Sequence, residues 1–155
     1  MAFTVTNKGM EYLLANAITG STDVRLIVFT GTVPSGPTMK DFDNVSDALA
    51  SSLNEATATS VSWTPGRVDP GALTVTASEV SDSVVLSTAA PVLTSVAGTE
   101  TWTAVGFYIE PTSGASDTTR TLLGVDVPTP STLTTNGQNV TLPALLLTVT
   151  GSTGP

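Results

Sequence analysis

Apolar positions recur along this chain with two different periods, and the change of period divides it. Between residues 7 and 17, Met10, Leu13, Leu14 and Ala17 fall three and four apart, the spacing of one helical face. Asn7 or Thr6 caps the start by accepting from an orphan backbone N–H, and Gly20 stops the helix. Val24–Thr30 is a short branched apolar run bounded by Gly31 and Pro34, which predicts a buried strand. Gly31–Pro37, with two glycines and two prolines, predicts a loop. Asp43–Leu53 predicts a second short helix, capped by Asp43, with Val45, Leu49 and Leu53 on one face.

After residue 60 the period falls to two. Val61–Thr64 reads as a strand stopped by Pro65-Gly66. Ala72–Ala77 alternates Leu73 and Val75 with Thr74 and Thr76, and Ser83–Ser87 adds Val84, Val85 and Leu86. Trp102–Ile109 sets Val105, Phe107 and Ile109 against Gly106 and Tyr108. Leu122–Val127 places Leu123, Val125 and Val127 together. Val140–Thr150 closes the chain, with Leu145, Leu147 and Val149 opposed to Leu146 and Thr148. Pro143 cannot donate to a ladder, so it marks an edge or a bulge in that run. Asn136-Gly137 signals the turn before it. Short strands and turns at this spacing predict one mainly β domain over residues 1–155, an antiparallel β-sandwich of jelly-roll type. Residues 1–20 form its N-terminal arm and helix, and residues 151–155 a short polar tail.

Composition narrows the chemistry. The chain has 155 residues, no Cys and no His, so thiolate and imidazole chemistry are excluded. Five basic residues against thirteen acidic ones give a net charge of −8, which argues against tracking a phosphate backbone. Only 12% of residues are charged, against the ~25–35% to which designed surfaces are built. Thr and Ser exceed a quarter of the chain and must supply the polar surface instead. A surface so poor in charge suits a protein that spends its life in an assembly. The opening residues lack the charged and apolar regions of a secretory signal, so synthesis and folding in a bacterial cytoplasm are expected, and no run reaches the ~20 apolar residues of a membrane span.

Few residues offer a site. Asp41, Asp43 and Asp47 alternate as calcium ligands do, but Val45, Ser46 and Ser52 stand where an EF-hand loop needs a ligand, a Gly and a Glu. They are therefore weak metal candidates, better suited to a helix start. Glu55, Glu79, Glu100 and Glu110 read as solvated strand edges, with no pair marked out for glycoside hydrolysis. Lys8 and Lys40 lack the desolvated helical setting of a catalytic lysine. No enzyme, cofactor or small-molecule substrate is expected. Arg25 enters the first strand, and its head reaches for the rim. Arg67 sits among turn residues in an expected exposed loop, where an arginine can anchor a partner. Trp63 and Trp102 read as core residues. If they or Tyr108 were exposed beside Asp and Asn, the alternative would be a tail- or fibre-associated module binding host-surface glycan.

The order of segments resembles small structural proteins of tailed bacteriophage virions. The likeness runs through Thr6-Asn7-Lys8-Gly9 and its helix, Leu26-Ile27-Val28-Phe29-Thr30, the acidic stretch Asp43–Leu49 and Glu55-Ala56-Thr57. It continues in Val105–Ile109, Leu122-Leu123 and Asn136-Gly137-Gln138. Ser60-Val61-Ser62-Trp63 stands where that group carries a Tyr-Ala-Arg-like step. The resemblance implies a capsid decoration, or cement, protein located on the virion surface. Its expected partners are the major capsid protein and copies of itself as a trimer or dimer, with no nucleic acid and no membrane. Phe3, Val5, Lys8, Arg67, Val68 and the segment from Leu146 are the residues expected to touch those neighbours.

Overall fold

The branched run after residue 22 forms the spine of the molecule. In the computed structural model, which describes residues 2–5, 23–58, 67–78, 83–128 and 132–150, it is strand β2 (Asp23–Gly31). β2 pairs along its length with β9 (Ala104–Glu110), from Asp23↔Glu110 to Phe29↔Ala104. β10 (Leu122–Val127) flanks β9, and β1 (Ala2–Val5) flanks β10. On the far side, β3 (Leu53–Glu55) and β4 (Arg67–Val68) both pair with β2. These six strands make one antiparallel sheet in the order β1-β10-β9-β2-β3, with β4 beside β2.

The remaining strands form smaller antiparallel sheets. β13 (Leu146–Thr150), β6 (Ser83–Ser87) and β5 (Thr74–Ser78) lie in that order. β12 (Val140–Thr141) pairs with β7 (Val92–Leu93), and β11 (Leu133–Thr134) with β8 (Thr101–Trp102). The fold is mainly β with antiparallel sheets, and it is not a closed barrel.

The main sheet is buried on both faces, which is why β9 is buried from Ala104 to Ile109 despite its clean alternation. Val105, Phe107 and Ile109 join Val24, Leu26 and Val28 in one core, completed by Leu86, Leu93, Val140, Leu142 and Leu145 from the smaller sheets and their connections. Ala104 and Tyr108 point the other way, into a second core with Ile27, Phe29, Leu53 and Val125. Two short helices cover that core. α1 (Gly36–Lys40) contributes Met39 and α2 (Val45–Ala50) contributes Val45 and Ala48.

Four expectations need correction. Gly36-Pro37 belongs to α1 and not to the loop, because Ser35 caps the helix and proline is accommodated in its first turn. The second helix is shorter than Asp43–Leu53: Asn44 is the cap, and Leu53 starts β3. Leu123 and Val125 do not share a face, since a register shift between Leu122 and Gly124 sends Leu123 to the first core and Leu122 and Val125 to the second. The final run is two strands, because residues 142–145, with Pro143 among them, leave the ladder between β12 and β13. The expected helix over 7–17 and strand Val61–Thr64 fall outside the described residues.

Candidate functional site

The chain has only three arginines, and all three line one cavity of about 200 Å³ together with Tyr108, Glu110, Ser113 and Gly114. β4 carries Arg67 and β2 carries Arg25, while Arg120 stands just before β10. Arg67 grips Glu55 of β3 with a two-point fork, Nε to Oε1 at 2.7 Å and Nη2 to Oε2 at 2.9 Å. Its Nη2 also reaches Asp117 at 3.0 Å. Arg120 donates to the same Asp117 oxygen at 2.8 Å and holds Glu110 at 2.8 and 3.1 Å. Arg25 pairs with Asp69 at 2.9 Å. Both Arg67 and Arg120 stand over the Tyr108 ring, at 5.4 and 5.7 Å from its centroid.

The electrostatics follow from partial burial. Desolvation opposes the charge on Arg67, but Glu55, the Tyr108 hydroxyl and Asp117 outweigh it and raise its pKa above the ordinary arginine value. The Glu110 carboxyl is desolvated as well, yet Arg120 holds it below the usual carboxylate range. Burial pushes the Tyr108 phenol up. Four carboxylates answer three guanidinium groups here, while Arg67 Nη1 is buried without a hydrogen-bond partner. Its effect is to tie β3, β4, β9 and the loop after Glu110 together, and the same loop seats α2 through Val45 N–H to Arg120 O and Ser46 N–H to Asp117 O.

Arg67 is therefore a half-buried edge-strand residue and not an exposed loop residue, and Val68 is buried in the first core. Leu146 is on the surface, 68% exposed. Phe3 and Val5 have their backbones in β1, opposite Asp126 and Gly124, and Lys8 lies outside the described residues. Asp41, Asp43 and Asp47 do not converge: Asp47 Oδ2 accepts from the Asp43 and Asn44 N–H groups, closing a capping box at the start of α2. Among the described residues no group of acidic side chains is placed to hold a metal ion. Trp102 and Tyr108 are buried, so neither offers a ring to a sugar, and Trp63 lies outside the described residues.

Glu100 was not legible as more than a strand-edge acid. It accepts from Thr57 N–H, Thr57 Oγ1, Ala58 N–H and Trp102 Nε1, all near 3 Å. Burial raises its pKa, but these donors overcome that and lower it. The available signal was its place two residues before Trp102, on the same side of an extended backbone.

The chain matches no family model, and no curated protein or solved structure is significantly similar to it.

A second feature emerges only when charge is mapped onto the strands. β5, β6, β7, β11, β12 and β13 contain no charged residue, and none occurs from Val127 to Pro155. β6 and β7 run in succession against β13 and β12, from Ser87↔Leu146 to Leu93↔Val140. Thr88 N–H to Leu145 O at 3.1 Å and Leu142 N–H to Pro91 O at 2.9 Å join the two ladders into one ribbon. Its exposed positions include Ala89, Ala90, Ala144, Val92 at 53% and Leu146 at 68%. Among the described residues, water meets an uncharged, largely apolar strip there, while ion pairs gather around β3, β4 and the loop after β9.

Proposed function

We propose that this protein is a virion structural component that binds the outer surface of a tailed-phage capsid and stabilises its lattice, a decoration or cement protein. The observation that carries the reading is the segregation of charge. Edge strands facing water are normally guarded by Lys, Glu or Pro, because their open N–H and C=O groups invite pairing. Here the outer strands of the smaller sheets carry no charge and present Leu146 and Val92 to solvent. Such a surface suits a part that neighbours cover.

In this reading the main sheet and the smaller sheets form a β-sandwich of jelly-roll type, and the neutral ribbon faces the particle and other copies of the chain. The major capsid protein is the partner, and the location is the virion surface. Stabilisation comes from mass action: a protein that binds the assembled lattice and not its separated subunits shifts the balance toward the intact shell. The test is co-sedimentation of the purified chain with expanded capsids lacking it, followed by heating. Saturable binding with a raised capsid melting temperature is expected, and absence of binding at micromolar concentration overturns the reading.

A further inference from the structure

We propose that the three-arginine cavity is a binding site for a small carboxylate. Guanidinium groups from Arg25, Arg67 and Arg120 line it beside a single carboxyl, that of Glu110. Glu55, Asp69 and Asp117 pair with those arginines but do not line the cavity. The wall is therefore cationic, although the chain as a whole carries a net charge of −8. Such a site is independent of any capsid contact.

The state of the donors selects an acceptor as the ligand. Arg67 commits Nε and Nη2 to Glu55 and Asp117, and its Nη1 is buried without a hydrogen-bond partner. Arg120 makes three bonds, to Glu110 and Asp117, although a guanidinium carries five N–H groups. A guanidinium has no acceptor of its own and keeps its proton, so only an incoming acceptor satisfies what remains. A buried donor left unpaired destabilises the fold, and a ligand that pairs it removes that cost.

Charge and size narrow the class. A carboxylate presents two oxygens in one plane, the geometry that a guanidinium fork matches. Glu110 repels any anion in the cavity, and it repels a dianion twice as strongly as a monoanion. With the outer acids included, four carboxylates face three guanidinium groups, so a single added negative charge is tolerated better than two. A cavity of ~150 Å³ holds a benzene-sized ligand. The volume here is about 200 Å³, which seats a short carboxylate.

The test titrates the isotope-labelled full chain with sodium acetate, balanced by sodium chloride to constant ionic strength, and follows the amide signals by NMR. Saturable shifts are expected at Ser113 and Gly114, which line the cavity, and at Ala115, whose N–H donates to Glu110 at 3.1 Å. Half-saturation should fall in the millimolar range for so small a ligand. Arg25→Gln removes one cation from the wall and should weaken acetate roughly tenfold. Ser113→Asp, at an exposed position, gives the wall a carboxylate of its own and should abolish the response. Lys40→Gln removes an exposed cation that is not part of the wall and should change nothing. Circular dichroism checks that each variant is folded, and if Arg25→Gln is not, Ser113→Asp decides. Shifts that never saturate, an acetate affinity indifferent to the wall variants, a response lost with Lys40→Gln, or sulfate binding more tightly than acetate overturns the proposal.

Discussion

At the scale of single residues, Gly106 shows how closely the main sheet is fitted to the helical side. It sits on β9 opposite Ile27, and a Cβ there would lie 2.8 Å from the Phe29 ring and 2.9 Å from the Ile27 side chain. Both neighbours are fully buried, so neither has space to withdraw. Gly106→Ala is expected to destabilise the protein by ~1–3 kcal/mol, the range for overpacking, seen as a lower urea midpoint with unchanged slope. The glycine in Val105-Gly106-Phe107 is visible in the sequence as a break in an apolar strand. Its reason is not, because the side chains that exclude a methyl group come from β2.

At the scale of elements, the arginine cluster joins pieces with weak claims to order. β4 is two residues long and β3 is three, too short to persist by ladder bonds alone. Arg67 ties them together through Glu55 and then to the loop through Asp117, which Arg120 holds in turn. Arg67→Met keeps most of the side-chain volume and removes the fork. The expected loss is ~2 kcal/mol, within the range for charge-assisted hydrogen bonds and below that of a fully buried pair, because this head is partly exposed. Thermal unfolding measures it. Hydrogen exchange should also accelerate at β3, β4 and the loop before Arg120 more than in β9. α2 shows the local counterpart: Asn44 and Asp47 cap each other's backbone at a spacing that sequence displays directly.

At the scale of the whole molecule, charge placement sets the response to pH. Glu100 and Glu110 have folded pKa values below their ordinary ones. Each adds stability that is present above the unfolded value of ~4.3 and disappears as pH falls through the lowered folded value. Asp126 has the opposite sign. It is buried in β10, its Oδ1 has no hydrogen-bond partner, and desolvation raises its pKa. Its contribution is complete below ~3.9 and is lost as pH rises through the raised folded value. Asp126→Asn should therefore raise the melting temperature at pH 7 by a few degrees, about 1 kcal/mol for a chain of this size. The gain should vanish near pH 4, as a melting series from pH 4 to 8 would show. A gain that stays constant over that range would contradict the desolvation argument.

The features legible along the unfolded chain are local and periodic. β2, β6 and the alternation of β9 follow from runs of branched and aromatic residues, because side-chain direction along a strand repeats every two residues whatever the strand packs against. The break at Pro143 follows from a missing N–H. The absence of His and Cys and the scarcity of charge are likewise complete in the sequence. The tertiary structure decided what depends on residues far apart in the chain. It buried both faces of the main sheet, and the register shift in β10 turned Leu123 and Val125 to opposite cores. It drew Arg67 away from solvent to partners 12 and 50 residues distant, a pairing no local pattern encodes because it depends on which strands become neighbours. It also paired two separate uncharged stretches into one ribbon: sequence shows that charge is missing from each, and only folding decides that they become neighbours.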